Sequence, residues 1–216
     1  MSDLPDRDAR PIVLASMSRA GSSMLFRAVY GSWASLRFGE KAEALTPSIW
    51  AYAWRLDETP LLPGVVYKTH DLARYAPRDA RPRVLFTYRR ASDVALSIAA
   101  RRDRDGPKWF TRHRDHMRGS GTFADFLLAD TLGLQAQVDG WFAAEGLDIL
   151  GIRFEELWDR RREIEDFLGF PVRLPKRTPS SGAAVASEQA ELIRATYAPL
   201  DRRIDAMPPM FVRRGG

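Results

Sequence analysis

The sequence predicts an α/β domain in three layers, with a mainly parallel central sheet flanked by helices. Three observations lead to it. Four short runs, Pro11–Ser16, Gly64–Tyr67, Arg83–Tyr88 and Leu147–Ile152, are apolar almost throughout, as strands buried on both faces must be. Segments with helical spacing separate them, and strands alternating with helices make a parallel sheet covered on both sides. The residues richest in chemistry, Arg19-Ala-Gly, Lys68-Thr-His and Arg89-Arg-Ala, each follow one of these runs directly. That is the carboxyl end of a strand, where ligands lie in open α/β sheets.

The 216 residues are enough for one domain with a substantial core. Residues 1–10 read as a flexible lead-in, and residues 11–216 as that single domain. Net charge is +5, almost wholly from arginine, because Lys41, Lys68, Lys108 and Lys176 are the only lysines. Such a balance fits a protein that handles phosphate or sulfate, and equally one with weak nucleic-acid contacts. Cysteine is absent, which excludes disulfides, thiolate metal sites and thiol catalysis. The first ten residues lack a secretory pattern, and no apolar run reaches membrane-spanning length. A soluble, cytoplasmic protein is the expectation.

In order, Pro11–Ser16 is the first strand. A tight turn of small and polar residues follows, with Gly21 where the backbone can approach a ligand. A helix then runs from Ser22 to about Ser35, with Leu25, Val29 and Trp33 at helical spacing. Thr46 and Pro47 read as the cap and first position of a second helix through Trp50–Arg55, whose aromatic rings are candidates to line an acceptor pocket. Gly64–Tyr67 is the next strand, ending in Lys68-Thr-His-Asp71. Arg83–Tyr88 is the third, and a helix over about Ala91–Arg101 follows it. Residues 103–121 read as a charged, irregular surface loop with some helical turn. Thr122-Phe-Ala-Asp125 resembles a capping box that opens a long helix toward Glu145, breaking near Gly133 or Gly140. Leu147–Ile152 is the fourth strand. Arg160–Leu168 is a helix closed by Gly169, with Pro171 beyond it. Ser187 is expected to cap a last helix that fades near Pro208.

The first turn combines a cation, Arg19, with Gly21 and the hydroxyls of Ser22 and Ser23 at a helix start. Unpaired N–H donors and the positive end of the macrodipole make such a position an anion site. It is not a Walker loop, because the residue after Gly21 is Ser22 rather than lysine. The third strand ends in Arg89 and Arg90, not in an acidic magnesium ligand. Asp71 is the one candidate for that role, behind a lysine and a histidine. Arg89 can fork onto a phosphate, and Ser97 lies on the following helix. Two anion sites imply a ligand with phosphates at two ends. His70 can take a proton from an attacking hydroxyl, and Lys68 can place positive charge on the leaving oxygen. His113 and His116 lack an evident third metal ligand and read as surface residues. Glu155 and Glu156 read as a helix start.

With these residues in view, the chain resembles the sulfotransferases that use 3′-phosphoadenosine 5′-phosphosulfate. Arg19-Ala-Gly-Ser-Ser23 is similar to that family's 5′-phosphosulfate loop. Arg89 to Ser97, with Asp93-Val-Ala between, is similar to its 3′-phosphate motif. Lys68-Thr69-His70 matches its Lys-Thr-His. Ile152-Arg-Phe-Glu-Glu-Leu157 followed by Asp166-Phe-Leu-Gly169 is similar to its Tyr-Glu-Asp-Leu and Phe-Leu-Gly stretch. The matches run in family order from about residue 11 to 170.

The resemblance implies a P-loop-like fold and in-line sulfuryl transfer that needs no metal. Arg19, Gly21, Ser22 and Ser23 would hold the 5′-phosphosulfate, with Ala20 and Met24 also against the cofactor, and Arg89 and Ser97 the 3′-phosphate. His70 would be the base and Lys68 the stabiliser of the bridging oxygen. The donor would be 3′-phosphoadenosine 5′-phosphosulfate, the product adenosine 3′,5′-bisphosphate, and the partner a small-molecule or sugar hydroxyl, with no nucleic acid. Met24 stands where many cytosolic members have tryptophan, Phe154 where tyrosine is common, and Ala91 where proline is frequent. The family's Gly-x-x-Gly-x-Trp-Lys segment has no counterpart after residue 170, and Lys176-Arg177 is the candidate for the missing 3′-phosphate contact. A P-loop kinase with a degenerate loop is the competing reading, and the missing lysine after Gly21 counts against it.

Overall fold

Six strands form one sheet in the order β2-β3-β1-β4-β5-β6, and only the last is antiparallel to its neighbour. The computed structural model describes residues 10–43, 50–177 and 185–215. The strands are β1 (Ile12–Ser16), β2 (Trp50–Tyr52), β3 (Val66–Thr69), β4 (Arg83–Tyr88), β5 (Asp148–Arg153) and β6 (Met210–Arg213). The helices are α1 (Ser22–Phe38), α2 (Ala91–Asp105), α3 (Pro107–His116), α4 (Phe123–Leu128), α5 (Leu134–Ala143), α6 (Arg161–Leu168) and α7 (Ser187–Ala206).

The chain leaves β1 toward β3 on one side and later returns to place β4 on the other. That reversal opens a crevice at the carboxyl ends of β1, β3 and β4. β1 is buried at every position, and its side chains alternate between two cores. Val13 and Ala15 join the larger core beneath α2–α5 and α7, while Ile12 and Leu14 join the smaller one beneath α1 and α6. The period-two geometry of a strand produces this split and makes the three layers.

Several expected elements are corrected. Trp50–Tyr52 is a strand paired with β3, not part of a helix. Aromatic residues suit a pleated surface, and the period is two: Tyr52 is exposed while Ala53 is fully buried. The cap expected at Thr46 and Pro47 lies outside the described residues. Lys68 and Thr69 belong to β3 rather than following it. The helical turn expected within residues 103–121 is a full helix, and the segment is on the surface but is not mainly a loop. α2 extends to Asp105, Gly106 turns the chain at φ 86°, and Pro107 starts α3. Phe110 and His113 are buried on that helix. The capping box at Thr122 and Asp125 forms, but its helix ends at Leu128. A left-handed turn at Gly133 precedes α5, and Gly140 sits inside that helix. Gly169 closes α6 at φ 82°. Ser187 is the first residue of α7, with Ala186 in the cap position.

β6 escaped the sequence reading because its four residues are half-buried or exposed and follow Pro208-Pro209. Its partner β5 accepts it through Gly151, where a Cβ would meet the Phe211 ring at 1.8 Å. No helix among the described residues is long and apolar enough to cross a membrane.

Candidate active site

The loop from β1 to α1 is short and held by its backbone. Met17 N–H donates to the Thr87 carbonyl at 2.9 Å, and Ala20 N–H to the Met17 carbonyl at 3.2 Å. Arg19 lies in the left-handed region at φ 60°, and Gly21 follows at φ 74°. For a non-glycine residue that conformation costs about 1–3 kcal/mol, so its surroundings must enforce it. Gly21 is also the residue before α1, where a Cβ would lie 2.2 Å from Phe154 Cε2. No side chain caps α1 and no acidic residue occupies its first turn, so its N-terminus keeps its attraction for an anion. Ala20 is fully buried and offers only backbone. Ser22 is buried, and Met24 packs against the smaller core.

Two side chains tie this loop and the start of α1 to neighbouring elements, and a third, Arg89, stands close by. Arg19 Nε donates to Ser97 Oγ on α2 at 3.0 Å. Lys68 Nζ, arriving on β3, donates to Ser23 Oγ at 2.8 Å. Burial, then the charges of Arg19 and Arg27, pushes the Lys68 ammonium down to about 8. Arg89, just past β4, lies over the Phe154 ring at 5.3 Å and donates from Nη2 to Asp93 at 3.0 Å. Its Nε is buried without a hydrogen-bond partner, with Glu155 Oε1 at 3.6 Å. The neighbouring Arg90 turns the other way, toward Asp201 at 3.6 Å and Asp205 at 3.5 Å on α7. Asp201 also caps α2, accepting from Ser92 N at 3.1 Å and Ser92 Oγ at 2.5 Å.

His70 stands at the tip of β3 with 6% of its surface exposed. Its Nδ1 lies 3.1 Å from the Ser16 carbonyl and 3.0 Å from Ser16 Oγ. A carbonyl only accepts, so Nδ1 carries the proton and Nε2 keeps its lone pair. Burial, reinforced by the nearby Lys68 charge, pushes the imidazole down to about 4. The imidazole is therefore unprotonated at neutral pH. Trp54 packs 6.0 Å from it, between Tyr52 on one face at 5.0 Å and His116 on the other at 4.1 Å. Tyr52 and Trp54 come from the aromatic stretch that the sequence nominated for an acceptor pocket, whereas His116 arrives on α3.

Asp71 does not fit the role of a magnesium ligand. Arg118 grips both its oxygens, at 2.7 and 3.0 Å, and the N–H groups of Leu56 and Leu72 donate to them as well. Glu155 and Glu156 form a single 3-10 turn after β5. Arg177 stacks over Trp158 at 5.5 Å and pairs with Asp159 at 3.8 Å. His113 and His116 lie on α3 rather than on a surface loop, and His113 is buried. Sequence reasoning passed over Ser16 and Ser18, whose alternation at the exit of β1 is the one local sign that both hydroxyls face the same way.

The fold and these contacts define a class: an α/β sheet with arginines, a lysine and a neutral imidazole gathered at neighbouring strand ends. No protein-family model and no curated protein matches the chain. Among solved structures, it is similar to mouse sulfotransferase SULT7A1 complexed with PAP, at 18% identity and a TM-score of 0.45 over 88% of this chain. The chain spans 65% of that protein's length, under two thirds. It is also similar to retinol dehydratase in a complex with retinol and PAP, at 16% identity and a TM-score of 0.48, covering 99% of this chain and 76% of that one.

Proposed function

We propose that residues 11–216 form a sulfotransferase domain that moves a sulfuryl group from 3′-phosphoadenosine 5′-phosphosulfate to the hydroxyl of a small molecule or sugar. The observation that carries this reading is the hydrogen bond from Arg19 to Ser97. It joins the two anion sites expected for opposite ends of one doubly phosphorylated adenosine. The uncapped start of α1 and the Nε of Arg89, buried without a hydrogen-bond partner and facing only the Glu155 carboxylate at 3.6 Å, fit such a ligand.

In this reading the first turn of α1, Arg19 and Ser23 bind the 5′ end, and Arg89 with Ser97 the 3′-phosphate. His70 Nε2 takes the acceptor's hydroxyl proton as the new O–S bond forms. Lys68 faces the oxygen whose bond to sulfur breaks, where charge develops. The polyanion also offsets the Lys68 and Arg19 charges that depress His70, raising the base toward its task. The kinase reading needs a carboxylate free for magnesium, and Asp71 is fully engaged by Arg118.

Calorimetry with adenosine 3′,5′-bisphosphate against ATP tests the proposal. A clear preference for the bisphosphate is expected. Equal affinity for the two ligands removes its basis.

A further inference from the structure

Ser16 and Ser18 are alternate residues at the exit of β1, and each hydroxyl meets a different imidazole. Ser16 faces His70 at the tip of β3. Ser18 Oγ lies 2.6 Å from His113 Nε2 on α3. Neither member of this second pair has a role in the transfer described above. Ser18 is fully buried and His113 is 9% exposed. The His113 ring is stacked on Trp109 at 4.7 Å and 11°, which fixes its plane, and its edge faces His70 at 6.2 Å.

We propose that His113 is a positioning residue for the anion loop: through Ser18 it holds the left-handed turn at Arg19 that aims the start of α1 at the donor. The inference rests on reading that loop as the donor's anion site. Arg19 is the residue immediately after Ser18, and its left-handed backbone persists only under constraint from both sides. On the outer side, the guanidinium is tied to Ser97. On the inner side, the Ser18 hydroxyl is tied to an imidazole that Trp109 keeps from turning away. A histidine with a purely packing role would have no reason to act on the one residue that precedes the strained position. With the pair removed, the buried hydroxyl loses its partner and residues 17–21 relax toward ordinary backbone angles.

The test compares His113→Leu, His113→Gln and Ser18→Ala in the full chain. Glutamine can return an amide group to the place of Nε2, and leucine cannot. Amide hydrogen exchange is read over residues 17–23 in the unliganded protein, and adenosine 3′,5′-bisphosphate affinity by calorimetry. His113→Leu is expected to speed loop exchange about tenfold while β1 and β4 stay protected. It should also weaken binding about tenfold, with His113→Gln restoring both to within about threefold. Ser18→Ala should match His113→Leu, and the double variant should be no worse than either. Unchanged loop exchange in Ser18→Ala overturns the proposal, as does an equal loss in the leucine and glutamine variants. Should the wild-type chain bind no bisphosphate, the functional reading fails, and the exchange measurement still decides the clamp.

Discussion

Arg19 Nε and Ser97 Oγ lie 3.0 Å apart although 78 residues separate them in the chain. One hydrogen bond thus links the loop after β1 to the helix after β4. Charge-assisted bonds of this type contribute about 1.5–3 kcal/mol each. Arg19→Ala and Arg89→Ala should therefore each lower bisphosphate affinity by about tenfold to a hundredfold in calorimetry. Arg90→Ala is the control. Its side chain serves Asp201 and Asp205 on α7, so affinity should stay within about threefold of wild type. An Arg90 effect equal to that of Arg89 would reverse their assignment.

The pH dependence of stability follows from His70. Its folded value lies near 4, below the ordinary 6.5. Between these values the unfolded chain binds more protons, so stability rises with pH across the window. The contribution is complete above pH 6.5 and is lost as pH falls toward 4, on the order of 3 kcal/mol for His70. His113, pushed down to about 3 by burial and then by His70 and Arg19, acts in the same direction. Denaturant melts at pH 7, 5.5 and 4 should show a midpoint falling in that order. A flat profile would exclude the buried neutral imidazoles. NMR titration of His70 should give a higher pKa with bisphosphate bound than without it.

His70→Ala should separate binding from chemistry. Loss of a positioned base costs about a hundredfold to ten-thousandfold in rate. Bisphosphate affinity should change little, because the ring's mapped bonds run to Ser16 rather than to the anion loop's donors. Transfer of labelled sulfate at the wild-type rate in this variant would remove His70 from the mechanism.

Gly21→Ala combines two costs. The residue sits at φ 74°, and its new Cβ would lie 2.2 Å from Phe154 Cε2. Destabilisation of more than about 1 kcal/mol is expected from the backbone alone. Adding Phe154→Ala should recover the part due to the clash and leave the backbone part, which thermal melts of the two variants can resolve.

Asp71 and Arg118 form an ion pair in which the carboxylate of Asp71 is fully shielded and the guanidinium is partly exposed. Removing one partner strands a buried charge, at about 3–5 kcal/mol. Arg118→Ala should therefore lower the denaturant midpoint far more than substitution of the exposed Arg104. A chelator should leave bisphosphate binding unchanged in the wild-type chain, since Asp71 offers no free oxygen to a metal.

Much of the site is legible in the sequence because local rules govern it. A buried run followed by Arg19-Ala-Gly-Ser-Ser encodes strand, left-handed turn and helix start without reference to the rest of the chain. The same holds for Thr122 with Asp125 and for Gly169. The misreadings share a cause. Trp50–Tyr52 has no local signal separating a strand from an aromatic helix, and it becomes a strand through its pairing with β3. Residues 107–116 look too charged for a packed element, yet Phe110 and His113 on one face are buried and anchor the helix.

By itself, the sequence placed Arg19, His70 and Arg89 just beyond the ends of strands, since hydrophobic run lengths and turn residues are properties of the local chain. The tertiary structure alone decided how they are shared out. It turned Arg89 into the site and Arg90 toward α7, occupied Asp71 with Arg118, and brought His113 beneath Ser18. These choices depend on contacts between segments 47 to 111 residues apart, and a hydrogen bond or ion pair across such a span exists only once packing has fixed both of its ends.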